Sequence, residues 1–466
     1  MVFSSFTFLF LFLPISLLIN YLISKKTSNI FLLLISLIFY YYGEKSLIIL
    51  LIISIIWNFL FALLIEKYQN IDKVSYFILV CCIIGNLGLL VYYKYLFFFI
   101  KILGLQFILT SQVISPSILP IGISFFTFHG LSYVIDVYRK HASASKNLVD
   151  LGLYLAYFPQ LIAGPIIKYH DIHSQIKDRV VVLADVYSGI NRFIRGLAKK
   201  IIFANNFALI ADEILNEPLN EVSSYAAWAG IIFYMLQIYY DFAGYSDMAI
   251  GLARMMGFHF KENFNYPYIA TSIQDFWRRW HISLSSWFKE YVYIPLGGNK
   301  VSNIGVMFNI FIVFLLTGFW HGASINFIFW GLLHGLFIIL ERILNFNKSN
   351  SFSFLRHVYT LLVVLLAWVF FRIESFSGAC KYIQKLCFID HEGTNYFLTL
   401  MTPYSFFLFV LGVIFVMPLK KAIYNFSYRF NYSFSIFYSL FHLLLFLFSV
   451  LELSSLSYNP FIYFRF

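Results

Sequence analysis

Apolar positions in this chain cluster into long runs separated by short polar breaks, a pattern that persists from Val2 to Leu451. The runs fall at Val2 to Ile23, Ile30 to Tyr42, Ser46 to Leu64, Ser75 to Ile100, Ile118 to Val137, Leu151 to Ile167 and Gly189 to Ala211. They continue at Tyr225 to Ala253, Ile304 to Trp320, Ile325 to Ile343, Val358 to Phe371, Ser405 to Val416 and Ser433 to Leu451. A helix needs about 20 apolar residues to cross the hydrocarbon layer. The pattern therefore predicts an all-α, polytopic membrane protein with about 11 to 13 transmembrane helices, the shorter ones tilted, re-entrant or interfacial. The longest polar stretch, Met255 to Thr271, is too short to fold alone, so residues 1–466 read as a single membrane-embedded domain. The two halves show no internal likeness, which weighs against the repeat architecture common among secondary transporters.

Composition agrees with lipid as the solvent: 61% of residues are hydrophobic and 12% charged. The net charge of +11 is spread over short loops rather than gathered on one face, so nucleic-acid binding is excluded. Lys25 and Lys26 directly follow the first apolar run, which places that loop inside and the N-terminus outside. The first run has no basic residue before it and reads as a retained anchor rather than a cleaved signal. The four cysteines form no CxxC pair or disulfide framework and read as packing thiols.

Four polar stretches interrupt the apolar pattern. In the first, SIQDFWRRWHISLSSWFKEYVYIPLGGNK from Ser272 to Lys300, the residues Trp277, Trp280, Leu284, Trp287 and Tyr291 recur at helical spacing. Ser272 and Asp275 suggest a capping-box start and Pro295 a stop, so one helix is expected, with Arg278, Ser285 and Lys289 on its polar face. Arg279 lies within this helix, and His281 falls on the aromatic side, toward packed protein. In the second, TGFWHGA, His321 follows Trp320 between Gly318 and Gly322, a small-xxx-small spacing that lets a backbone or a slender substrate come close. An ionisable residue at membrane depth marks function or a buried hydrogen bond, and histidine suits proton abstraction near neutral pH.

The third stretch sets Gln237, Tyr240, Asp241, Ser246 and Asp247 in an apolar run; the two carboxylates need cations or donors, with Arg278, Arg279 or Arg254 as candidate partners, and read either as a structural ion pair or as a direct acid or base. The fourth, FPQLIAGPI, carries Pro159, Gln160, Gly164 and Pro165, a broken helix that forms either a cavity wall or a simple kink. His129, His334 and His442 also lie in apolar runs. No HExxH spacing, GxSxG elbow or Walker loop is present, so neither a metal nor serine-hydrolase or nucleotide chemistry is expected.

Taken in order, LPIGISFFTFHGLSYVIDVYR, FPQLIAGPI, YYDFAGYSDMAIG, FWRRWHISLSSWFKEYVYIPLGGN, GFWHGA and LLAWVFFR resemble the membrane-bound O-acyltransferase family, and within it the alginate and peptidoglycan O-acetyltransferase branch. The likeness spans residues 119 to 372; His129 stands where that family's pattern has glutamine. The resemblance implies a multihelix bundle around a central tunnel, with His321 as the principal catalytic residue and His281 lining the same tunnel. It further implies acetyl transfer from a cytoplasmic thioester, acetyl-coenzyme A being the expected donor, with no bound cofactor. The acyl group would pass to a separate extracytoplasmic acetyltransferase that esterifies a cell-envelope polysaccharide, from a multi-pass position in the bacterial cytoplasmic membrane. The AT-rich residue usage leans toward peptidoglycan as acceptor. Two alternatives remain at this point: D-alanyl transfer to teichoic acid by a related branch that shares the WHISLS and WHG landmarks, and transport of a polar envelope precursor.

Overall fold

A computed structural model of the chain describes residues 2–105, 119–346, 353–388, 397, 399–419, 431–455, 458–460 and 462, and among these no strand occurs. The expected start at Ile118 lies outside the described residues. The helices are α1 Leu13–Leu22, α2 Lys25–Glu44, α3 Ile48–Lys67, α4 Asp72–Leu90, α5 Leu96–Ile102, α6 Ile123–Tyr138 and α7 Leu148–Ala156. Next come α8 Phe158–Leu161, α9 Tyr169–Asp178, α10 Leu183–Ala198, α11 Asn205–Asn216, α12 Ser224–Met255, α13 Ile273–Arg279 and α14 Ile282–Phe288. The last are α15 Asn303–His321, α16 Ile325–Ile343, α17 Ser353–Arg372, α18 Phe376–Cys387, α19 Pro403–Phe415 and α20 Asn431–Ser455.

By length and composition, 6 helical stretches among the described residues can cross a membrane, with shorter apolar helices at Phe8–Leu22 and Pro403–Phe415. The longest, Lys25–Lys67, turns at Lys45, whose φ of 48° is the left-handed region; α2 and α3 on either side each have spanning length. At 32 residues, about 48 Å, α12 is also long enough, but Gln237, Asp241 and Asp247 interrupt its apolar surface.

The chain forms two compact units, Met1–Phe193 with Met248–Lys261, and Ile194–Asp247 with Glu262–Phe466. In the first unit, α3 packs against α4 and α6. Buried Asn58 and Asn86 exchange amide hydrogen bonds at 3.1 and 3.0 Å across the α3–α4 seam. Such polar pairs hold apolar helices together where lipid offers no hydrophobic contrast. The Leu151 to Ile167 run is not one spanning helix: Pro159 and Gly164 break it into α7, α8 and an extended segment. A Cβ at Gly164 would lie 2.4 Å from the Pro159 carbonyl oxygen, so only glycine fits. The freed backbone is satisfied by protein. His129 Nε2 accepts from the Ile167 N–H at 3.2 Å, and the Tyr154 hydroxyl donates to the Ile167 carbonyl at 2.8 Å. His129 thus has a structural task, and the segment is a kink held by side chains.

In the second unit, Asp241 of α12 meets Lys200 at 2.6 Å with both side chains almost fully buried. Its other oxygen accepts from the Ile462 N–H at 2.9 Å, and Lys200 also donates to the Pro460 carbonyl. Asp247 pairs with Lys199 at 2.7 Å. The expected arginine partners are therefore corrected to lysines, because Lys199 and Lys200 follow α10 on the turn that faces α12. Arg279 instead pairs with Asp275, and Arg254 donates to Ser188 Oγ at 3.4 Å.

Removing one partner of a buried pair leaves an uncompensated charge, at a cost of about 3–5 kcal/mol. Lys200→Met should lower the detergent-solubilised melting temperature markedly, and adding Asp241→Leu should restore most of it. A single variant that melts like the parent contradicts this account of the pair.

Candidate active site

The helix expected from Ser272 to Pro295 is two helices. Ser272 caps α13 by accepting from the Asp275 N–H at 3.0 Å, but α13 ends at Arg279, Trp280 is extended and His281 takes the left-handed conformation, φ 43°. Sequence periodicity could not show this break, because its cause lies elsewhere in the chain. The segment Asn263–Asn265 runs past the gap and takes up its backbone groups: Asn265 N–H donates to Arg279 O, and Ile282 N–H to Asn263 O, each at 2.9 Å. A left-handed non-glycine residue costs about 1–3 kcal/mol and persists only where its surroundings impose it.

The surroundings that fix His281 centre on the fully buried Asn263 carboxamide. Its Oδ1 accepts from the Ser283 backbone N–H at 3.2 Å and from Ser283 Oγ at 2.9 Å; its Nδ2 donates to Ser246 Oγ at 3.0 Å. The Ser283 N–H can only donate, which settles which end of the amide faces His281. His281 Nδ1, 3.2 Å from the same oxygen, therefore carries the ring proton, and in the neutral ring Nε2 holds a lone pair. Among the described residues Nε2 has no hydrogen-bond partner. The Phe242 ring stands edge-on at 4.6 Å and Trp320 at 5.6 Å.

His321 is the last residue of α15, which ends because Gly322 is extended and Ser324 caps α16 by accepting from the Asn326 N–H at 3.2 Å. Gly318 supports the α15–α16 hairpin. A Cβ there would lie 2.5 Å from the Phe327 carbonyl oxygen of α16, and one at Gly331 would lie 2.3 Å from the Phe314 carbonyl oxygen. A Cβ at Gly322 would strike the Phe327 ring at 2.4 Å. The close approach expected of these glycines is thus made by a neighbouring helix. His321 is 2% exposed and enclosed by aromatic rings: Trp330 at 4.8 Å, Trp320 at 4.9 Å and Phe371 at 5.2 Å, all edge-on. Trp320 touches both imidazoles, so one indole links His281 to His321.

The other expected residues divide. Trp277 packs against Trp330 and Phe314, and Trp280 against Phe264, Phe276 and Trp368, within the same aromatic cluster. Tyr240 donates to the Gly412 carbonyl at 2.6 Å, Gln237 is buried on the same helix, and Ser246 reaches His281 through Asn263. Arg278 is exposed and Arg279 is held by Asp275, so neither joins the two histidines. Pro159, Gln160, Gly164 and Pro165 belong to the first unit, where Gln160 donates to the Tyr154 carbonyl. His334 lies fully buried among Phe276, Trp277 and Trp330, and His442 bonds the Tyr438 carbonyl of its own helix.

Two supporting residues escaped the sequence reading. Asn263 sits in the polar stretch before α13, where nothing in its spacing marks it. Glu341, buried near the end of α16, accepts from the Ile273 and Gln274 N–H groups at 2.5 and 3.1 Å. It places a carboxylate at the N-terminus of α13, where the helix dipole favours negative charge.

The family model for the membrane-bound O-acyltransferase family matches residues 122–381. The chain belongs to that family and is an acyltransferase embedded in the membrane by several spans. Along its whole length it is 37% identical to a probable alginate O-acetylase of Pseudomonas putida, with all of both chains covered. A peptidoglycan O-acetyltransferase of Helicobacter pylori is 36% identical over 74% of this chain and 72% of its own. A teichoic acid D-alanyltransferase of Bacillus subtilis is more distant, 30% identical over 55% of this chain and 68% of its own.

Replacing Asn263 by Ala removes the acceptor shared by His281 Nδ1 and Ser283 and should lower acyl transfer about 10–100-fold, by analogy with other residues that orient a functional imidazole. The chain should still fold, which thermal unfolding checks. Parent-level transfer in the folded variant contradicts the orienting role.

Proposed function

We propose that this acyltransferase takes an acetyl group from a cytoplasmic thioester, acetyl-coenzyme A, and delivers it across the bacterial cytoplasmic membrane for O-acetylation of a cell-envelope polysaccharide. The observation that carries the chemistry is the pair of buried imidazoles on either side of Trp320. In the transfer step, an acceptor hydroxyl attacks the thioester carbonyl carbon. Its oxygen forms the new ester bond, the carbon–sulfur bond breaks, and His321 takes the hydroxyl proton and returns it to the departing thiolate. His281 presents an acceptor lone pair at Nε2, which suits it to orient the hydroxyl; donating to the carbonyl oxygen would require a proton that Asn263 holds on the other nitrogen. Because His321 is 2% exposed, both substrates must displace part of the aromatic wall to reach it.

The acceptor hydroxyl belongs to an extracytoplasmic acetyltransferase partner; a polymer hydroxyl then attacks that ester, forming the polymer acetate and releasing the partner's own hydroxyl. The alginate and peptidoglycan O-acetyltransferases among the relatives favour acetate over D-alanine, since both match more of this chain than the D-alanyltransferase does. Peptidoglycan is the favoured acceptor, with an alginate-like exopolysaccharide the second.

The test is base-labile acetate released from separated peptidoglycan and exopolysaccharide of cells expressing the parent or His321→Ala chain. His321→Ala, inserted at parent levels, should release no more acetate than cells lacking the gene. Full acetylation by that variant removes the role of His321. Ester-linked D-alanine in place of acetate redirects the substrate, and loss of polymer at a constant acetylation ratio supports transport.

A further inference from the structure

Away from the two histidines, the first unit contains a cavity of about 640 Å³ where the end of α1, the start of α2 and the end of α9 meet. Tyr21, Lys25, Ser28, Lys177, Arg179 and Leu183 line it. Its charges do not cancel: Lys25, Lys177 and Arg179 face a single carboxylate, Asp178. Among the described residues, the side chains of Lys25, Lys177 and Asp178 form no hydrogen bond or ion pair. Arg179, partly buried, is held by neutral groups. It donates to Ser28 Oγ at 2.5 Å, to Asn29 Oδ1 and to the Ile176 carbonyl at 3.4 Å, and lies over the Phe258 ring at 4.6 Å. No carboxylate lies in contact with it; Asp150 accepts from the Asn29 amide at 2.7 Å and acts on the guanidinium from beyond contact distance. Burial draws its pKa below the ordinary arginine value, a lowering that the distant Asp150 charge only partly offsets.

The depth of the cavity identifies the anion. Lys25 opens the apolar stretch Lys25–Lys67, so the cavity lies at the boundary between hydrocarbon and water. Leu22, 76% exposed, and Leu183, 87% exposed, flank it and offer apolar surface to acyl chains. We propose that this cavity binds an anionic phospholipid, its phosphate held by Lys25, Lys177 and Arg179 and its acyl chains lying along Leu22 and Leu183. Paired basic side chains at the membrane surface recognise such headgroups through charge and charge-assisted hydrogen bonds.

The test uses the full chain, purified in detergent and stripped of lipid, titrated with short-chain phosphatidylglycerol, with short-chain phosphatidylcholine and with inorganic phosphate. The comparison variant, Lys25→Gln with Lys177→Gln, alters only exposed side chains that bond nothing, and its melting temperature checks that it folds. Phosphatidylglycerol should bind the parent saturably and more tightly than phosphatidylcholine. The double variant should bind it at least about tenfold more weakly, near the contribution expected of two basic residues at a membrane surface. Equal affinity for phosphatidylglycerol in parent and variant overturns the proposal. Inorganic phosphate that binds as tightly as phosphatidylglycerol and displaces it also overturns it, in favour of a free-anion site.

Discussion

The arrangement around the two buried imidazoles depends on one carboxamide. Asn263 Oδ1 collects three donors, the Ser283 N–H, the Ser283 hydroxyl and His281 Nδ1, and so holds a left-handed histidine in the gap between two helices. Where water is scarce, each of those donors would be costly to leave unmade. The same contacts set the tautomer, so a structural constraint on the backbone becomes a chemical property of the ring. Without Asn263, the aromatic cluster could still pack, but His281 could present either nitrogen.

Around this point, the structure handles buried polarity in two ways. Neutral groups are satisfied locally, as in the Asn58–Asn86 exchange or the His129 and Tyr154 contacts at the broken helix. Some charged groups meet an opposite charge, as Asp241 meets Lys200, or cap a helix, as Glu341 caps α13, and others donate to neutral oxygens, as Lys94 does to Ser124 Oγ and Arg254 to Ser188 Oγ. Arg179 follows this last course, and the two lysine side chains beside it in the cavity at the end of α9 likewise meet no carboxylate partner.

Much of this was legible in the sequence. Hydropathy alone defined the helical membrane class, and α16 lies where its run begins and ends, because Ser324 is a strong cap and most of the intervening residues are apolar. His321 and His281 stood out as costly ionisable groups in apolar surroundings. The break at His281 was not legible: a continuous aromatic periodicity crosses it, and only the remote Asn263–Asn265 segment supplies the hydrogen bonds that make a break affordable. The ion-pair partners of α12 were misassigned for a related reason. Arginines were natural candidates, but the π-helical turn that joins α10 to α11 places Lys199 and Lys200 against α12. Glu341 was invisible because a lone carboxylate at the end of an apolar helix resembles an interfacial charge.

The hairpin of α15 and α16 has a mechanical consequence. Gly318 and Gly331 place main chain directly on main chain, with no layer of side chains between the helices to compress or repack. Such a joint is stiff, so the imidazole at its apex is fixed in position as firmly as the backbone itself. Any shape change that opens a path to that ring must then come from the opposite wall of aromatic side chains, leaving the imidazole itself as the stationary reference.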